Sequence, residues 1–221
     1  MEQMNPAPGS SAELDVPSTA HYQREYLDGR RMHSIAEQVG LLLEDAPQSV
    51  LEIGMGTGIT AFALRAAGVT VQTLDLQPDL QPDIVGDVRD IPADDDAFDA
   101  ANCCQVLEHL PWAEFPRAIA ELRRVTRSRL VVSLPDITRH VGVQFNAPQA
   151  GRRGGSFSLP AAPRSQAWRT ARLIEMGHHW EIGLDGIGWT DVVRAIEHAG
   201  FARVTSHRLD IMPWHRFFVA D

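Results

Sequence analysis

The sequence predicts an α/β protein: three layers, a mostly parallel sheet with helices on both faces, and an antiparallel last strand. Three observations predict it. From residue 49 onward, short apolar runs alternate with amphipathic stretches, the rhythm of a parallel sheet covered on both sides. Several of these runs stop at a glycine or an acid, the punctuation of a strand giving way to a turn. The two final runs, 201–208 and 215–219, are joined by a connection too short for a crossover helix, so they are antiparallel neighbours.

The elements follow in order. Residues 22–44 read as a helix, with Tyr26, Met32, Ile35, Ala36, Val39 and Leu42 near helical spacing, and Pro47 ends it. A strand over 49–53 leads through a glycine turn into a helix over 59–67. There Ile59, Phe62, Ala63 and Ala66 form the apolar stripe expected to pack on the sheet. Gly68 stops the helix, and strands follow at 69–76, 84–85 and, after "PADDDA", 98–103. In "EFPRAIAELRRVT" the residues Phe115, Ile119, Leu122 and Val125 share one helix face. "RLVVSLP" is apolar on both faces, as a central parallel strand should be. A last helix spans 190–199.

Composition narrows the function. At 221 residues the chain is most simply one domain, somewhat longer than the usual ~100–150 residues. All 20 basic residues are arginine, since the sequence contains no lysine. Schiff-base chemistry, a phosphate-loop lysine and any lysine-containing catalytic tetrad are thereby excluded. The net charge of −9 argues against sequence-independent nucleic-acid binding. The only cysteines, Cys103 and Cys104, are adjacent, which rules out a disulfide framework and fits a reducing compartment. The N-terminus lacks the basic start and apolar stretch of a secretory signal, and no run of ~18 apolar residues exists to span a membrane. A soluble, cytoplasmic protein is expected.

Residues 1–18 are rich in Pro, Ser, Ala and Gly and read as a disordered leader, with residues 19–221 as a single domain. Between Asp136 and the last helix lies an irregular stretch of about fifty residues, long for a compact domain. Residues 137–174 carry six arginines and no acid, whereas residues 75–99 carry nine aspartates and one arginine.

Chemistry concentrates in "VLEIGMGTGI", residues 50–59. Glycine at 54, 56 and 58 permits a tight strand-to-helix turn and a close approach of ligand to backbone, with N–H groups of the next helix available to an anion. The dinucleotide pattern G-x-G-x-x-G requires its third glycine where Ile59 stands. The pattern E-x-G-x-G-x-G, starting at Glu52, is complete.

From Val50 to Pro135, and in motif order to the C-terminus, the sequence resembles the class I S-adenosylmethionine-dependent methyltransferases. "LEIGMGTG" resembles their first motif, which implies that Glu52, Gly54, Met55, Gly56 and Gly58 cradle the methionine part of S-adenosylmethionine. Asp75 in "TLDLQPD" matches the acid that takes both ribose hydroxyls, a role suited to two acceptor oxygens. "GDVRDIP" implies that Asp87 and Val88 hold the adenine, with Leu76 and Met55 as apolar neighbours. "FDAANCCQVLEHL" resembles the fourth motif, with Cys104 and Gln105 lining the methionine. The resemblance also implies a Rossmann-like sheet of seven strands, and makes 137–180 a substrate-side insertion.

The methyl acceptor is constrained by what is missing. No D/N/S-P-P-Y/F/W follows the fourth strand, so amino-methylation of adenine or a glutamine amide in the usual style is not expected. Cys103–Cys104 is not a Pro-Cys pair, which removes the cysteine adduct used at pyrimidine C5. "MGHHWEIG" offers His178 or His179 as a general base near neutral pH, with Glu181 to orient it. Alternatively, Trp180 packs under the sheet edge and the histidines are structural. No third ligand is visible beside them, so no metal site is predicted. The arginines of the insertion suit an anionic acceptor, a phosphate, carboxylate or lipid headgroup, or are simply solvated. His21, Tyr22 and Tyr26 are lid candidates, and most of the five tryptophans are expected in the core. A small-molecule acceptor is the leading expectation; an RNA or protein acceptor, or a non-catalytic cofactor-binding partner, are the alternatives. No oligomeric state is assigned.

Overall fold

The computed structural model describes residues 26–147, 151–159 and 161–221. The leader at 1–18 and the lid candidates His21 and Tyr22 lie outside them. Nine strands and five helices are described: β1 (Ser49–Ile53), β2 (Thr70–Asp75), β3 (Ile84–Val85), β4 (Phe98–Cys104), β5 (Thr126–Pro135), β6 (Arg139–Ala147), β7 (Gly151–Leu159), β8 (Val204–Arg208) and β9 (His215–Ala220). The helices are α1 (Gly29–Leu43), α2 (Ile59–Ala66), α3 (Phe115–Val125), α4 (Gln166–Met176) and α5 (Trp189–His198).

Seven strands form one sheet in the order β3-β2-β1-β4-β5-β9-β8. Strands β1 to β5 pair in parallel, while β9 is antiparallel to both of its neighbours. Successive residues point to opposite faces, so Val50 and Leu51 enter different cores. Leu42 of α1 and Ala61 and Leu64 of α2 cover Val50, Val71, Ala100, Val131 and Phe217. On the other face, Phe115, Ile119, Leu122, Val192 and Ile196 of α3 and α5 pack against Leu51, Ile53, Cys103, Val132 and Leu134. The strand order reverses between β1 and β4, and open α/β sheets bind ligands at the carboxyl ends of the strands flanking such a switch point.

Helix α3 buries the predicted Phe115, Ile119, Leu122 and Val125. Helix α2 does not follow its predicted stripe. Thr60, Ala61 and Leu64 are buried, whereas Phe62 is 72% exposed. The left-handed Gly58 that starts the helix sets its rotational phase, and that phase turns Phe62 outward. In α1, Asp28 caps the N-terminus by accepting from the Arg31 N–H at 2.8 Å. Its inward face carries Ser34 and Gln38 beside Ile35 and Leu42, with Met32 exposed.

The stretch after Asp136 is not irregular. Strands β6 and β7 pair as an antiparallel hairpin, from Arg139 opposite Leu159 to Ala147 opposite Gly151. Helix α4 follows, capped by the Ser165 hydroxyl and closed by Gly177 in the left-handed conformation. Alternating Val141, Val143 and Phe145 carried a strand signal, diluted by the glycines of β7. Val141, Val143 and Phe157 are exposed, because the hairpin pairs only with itself. Two devices tie the insertion to the sheet. The buried Asp136 carboxylate accepts from Arg216 Nε at 2.6 Å and lies 3.5 Å from Arg208. Further on, the Ile182 N–H donates to the Pro135 carbonyl and the Ile182 carbonyl accepts from the Ile137 N–H. The segment just before Ile182 is thereby held at the carboxyl end of β5.

Candidate functional site

The turn after β1 is built from left-handed residues: Gly54, Gly56 and Gly58 have φ of 72°, 50° and 70°. A Cβ on Gly54 would lie 2.3 Å from Cγ2 of Val106, so only glycine fits there. The turn borders a cleft shared by Gly54, Gly56, Asp75 and Leu76 on one side and Asp87, Val88, Cys104 and Gln105 on the other. Glu52 and Met55 line an adjoining recess behind the turn, with Gln38, Thr60 and His215. Gly58 lines neither space; it shapes the turn, donating to the Met55 carbonyl at 2.8 Å.

The carboxylates differ in their surroundings. Burial raises Glu52 to about 8, opposed by the Ala61 N–H, the Thr60 hydroxyl and Arg65, while Asp75 pushes it further up. Its Oε2 has no hydrogen-bond partner. Burial also raises Asp75, although the N–H groups of Gln77, Met55, Gly56 and Leu76 hold it back. At Asp87 burial works upward too, but Arg89 outweighs it and the carboxyl sits below its usual range. Arg89 donates to Oδ1 from its N and Nε and to Oδ2 from Nη2 at 2.6 Å. Burial lifts Cys104 to about 12 and Cys103 well above its ordinary value. Both thiols stay protonated, which removes them as nucleophiles.

A second pocket adjoins the cleft and shares Tyr26, Gln105 and His109 with it. Arg31, Glu108, Arg172 and His178 line it further in. His178 Nδ1 lies 2.9 Å from Oε1 of the buried Glu181, whose Oε2 accepts from Arg172 Nε at 2.6 Å. His179 is different: its side chain is exposed and only its N–H is used, on the Glu108 carbonyl. Trp180 is a core residue, donating to the Leu110 carbonyl and packing edge-on against Trp112 and Phe115. Trp189 and Trp214, against the expectation for most tryptophans, are 41% and 39% exposed. Of the insertion's arginines, Arg169 pairs with Asp185, Arg172 with Glu181, and Arg164 lies over Trp168.

Residues 51–132 match the family model described as a methyltransferase domain, and they contain the glycine turn, Asp75, Asp87 and the end of β4. These residues carry a methyltransferase domain, and the chain around them has the fold of S-adenosylmethionine-dependent methyltransferases. S-adenosylmethionine is the cofactor that the sequence motifs imply for this domain. Solved structures share its fold. A protein from Nostoc punctiforme aligns with 91% of the chain at 13% identity and a TM-score of 0.63, and this chain spans only 59% of that protein's length. The 1,6-didemethyltoxoflavin-N1-methyltransferase of Burkholderia thailandensis, with its substrate and S-adenosylhomocysteine bound, aligns over 96% of this chain and 97% of its own (15% identity, TM-score 0.55). The magnesium protoporphyrin IX methyltransferase of Synechocystis, with S-adenosylhomocysteine bound, aligns over 91% and 92% (18% identity, TM-score 0.56). No curated protein matches the chain.

The residues of the methyltransferase fit the cofactor. A backbone cradle that a Cβ would fill, an unpartnered buried Glu52 oxygen beside it, and Asp75 at the end of β2 line adjoining spaces. Sequence reasoning missed Arg31, Glu108, His109 and His215. Glu108 and His109 form an acid–histidine pair directly after a strand, within the quoted fourth motif, which was a usable signal. Arg31 and His215 had none, since they come from α1 and β9. Burial lowers His215 to about 3, so it is a neutral partner of the Ser34 hydroxyl, 2.9 Å away.

Proposed function

We propose that the methyltransferase methylates a small-molecule acceptor held in the pocket between α4 and the carboxyl ends of β4 and β5. The observation that carries this reading is the continuity of that pocket with the cofactor cleft through Tyr26, Gln105 and His109. When bound, S-adenosylmethionine supplies an electrophilic methyl group on a sulfonium. The protein's task is then to position an acceptor atom in line with it. Glu52, the glycine turn and Asp75 hold the cofactor, with Asp87, Val88 and Leu76 about its base and Cys104 and Gln105 about its methionine. Arg31 and Arg172 at the acceptor pocket favour an anionic acceptor. Of the two candidate histidines, His178 is the one beside the acceptor, and its orientation by Glu181 suits it to take a proton there. The small-molecule substrates named for two structural neighbours and the net charge of −9 agree with this reading. Two unpaired cysteines fit a cytoplasmic setting.

The test is a screen of metabolite extracts with radiolabelled S-adenosylmethionine, followed by mass spectrometry of labelled products. A labelled small molecule is the expected result. Label confined to RNA or protein would overturn the acceptor class, and cofactor binding with no label anywhere would make the protein a non-catalytic partner.

A further inference from the structure

Glu108, His109 and His178 bring one carboxylate oxygen and two ring nitrogens within 4.8 Å of one another at the wall of the acceptor pocket. Glu108 and His109 belong to the 3-10 turn Leu107–His109 that follows β4, while His178 follows the end of α4. Only folding unites them. Glu108 is fully buried, and neither of its carboxylate oxygens has a hydrogen-bond partner. A carboxylate in that condition is costly unless a cation pairs with it. Arg31 acts on it electrostatically without a hydrogen bond.

The two histidines are already oriented. Nδ1 of His109 lies 2.8 Å from the Gly177 carbonyl, and Nδ1 of His178 lies 2.9 Å from the Glu181 carboxylate. Both partners accept only, so each Nδ1 carries the proton and each neutral ring keeps its lone pair on Nε2. Imidazoles whose other nitrogen donates to a carbonyl or carboxylate are the arrangement that surrounds bound divalent metals.

We propose that Glu108, His109 and His178 form a binding site for a divalent transition-metal ion at the acceptor pocket. Two imidazoles and one carboxylate suit an ion such as Zn²⁺, Co²⁺ or Mn²⁺ better than Mg²⁺ or Ca²⁺, which prefer oxygen ligands. Three protein ligands leave a coordination position open, and an oxygen of the acceptor is the group to fill it. A hydroxyl bound there becomes more acidic, and His178 then serves as a ligand instead of a base. This role rests on the pocket being the acceptor site; the binding of the ion does not.

The experiment uses untagged full-length protein, stripped with a chelator and titrated with Co²⁺ in the absence of cofactor and acceptor. One equivalent should bind, with visible absorption that Zn²⁺ abolishes. Glu108→Gln and His178→Gln should each weaken binding by more than about 100-fold, beyond the 10–100-fold typical of outer-shell changes. His198→Gln, an exposed histidine on α5, should leave it unchanged. Melting curves establish that each variant is folded, and His109→Gln carries the test if Glu108→Gln is not. No bound Co²⁺ at millimolar concentration, or full binding in the folded Glu108 and His178 variants, overturns the site. A protein that binds Co²⁺ as expected but methylates no small molecule overturns only the acceptor reading.

Discussion

At the scale of single residues, the site depends on backbone shape as much as on charge. Gly54→Ala combines a left-handed φ of 72° with a Cβ placed 2.3 Å from Val106. Such strain costs on the order of 1–3 kcal/mol, so the variant should lose stability in urea and bind S-adenosylhomocysteine weakly; wild-type behaviour in both assays would mean the turn is not the cradle. Asp75→Ala removes two acceptors from the cleft. Hydrogen bonds to a charged group contribute roughly 1.5–3 kcal/mol, about ten- to hundredfold in affinity. Calorimetry with S-adenosylhomocysteine checks this, and an unchanged dissociation constant would move the ribose to another acid. His178→Gln should slow methyl transfer by roughly 10²–10⁴, while His179→Gln, exposed and outside the pocket, should leave turnover intact. Equal losses in both would contradict the separate surroundings of the two rings.

At the scale of elements, α4 is fastened to the domain by ion pairs of unequal burial. Arg172 is bonded to Glu181, which has no exposed surface, whereas Arg169 meets Asp185 with both side chains partly in water. Arg172→Met leaves Glu181 with His178 as its remaining side-chain partner among the described residues and should cost roughly 1–3 kcal/mol in denaturant unfolding. Arg169→Met should change stability by less than about 1 kcal/mol, as exposed pairs do. The reverse ranking would show that α4 is held by something other than Glu181. The three-residue spacing of α3 was readable because every member of its stripe is buried. That of α2 misled, because eight residues give few turns from which to read a phase, and Gly58 sets that phase.

At the scale of the whole molecule, buried titratable groups shape the pH profile. Glu52 rises from 4.5 to about 8 on folding. Between those values the unfolded chain loses its proton while the folded chain keeps it, so stability is lost as pH rises. Glu108 acts in the same direction over the same range. His215 falls from 6.5 to about 3, so its contribution is present above 6.5 and lost as pH falls toward 3. Above pH 6.5 the two acids act unopposed by His215. The unfolding free energy of the cofactor-free, chelator-stripped protein should therefore drop from pH 6.5 to 8, by up to ~1.4 kcal/mol per pH unit for each acid, and its denaturation midpoint with it. Glu52→Gln should reduce that slope by about half. A midpoint that holds level or rises over this range would show that Glu52 ionises freely in the fold.

The sequence by itself determined the strand–helix alternation, the antiparallel last strand, the glycine turn and the acid ending β2. Each of these is a local pattern, in which spacing or residue type within a few positions carries the physics. It also carried the methyltransferase domain, because its motifs follow consecutive strands in order. Tertiary structure alone decided which histidine lines the pocket beside the cleft, since neighbouring residues 178 and 179 differ only in what the fold packs around them. It alone turned the arginine-rich insertion into a hairpin and a helix held by Asp136, Arg216 and Glu181, residues up to 80 positions apart. Above all it set Glu108 and His109 beside His178. Burial and convergence are properties of the folded chain, and no window of sequence contains them.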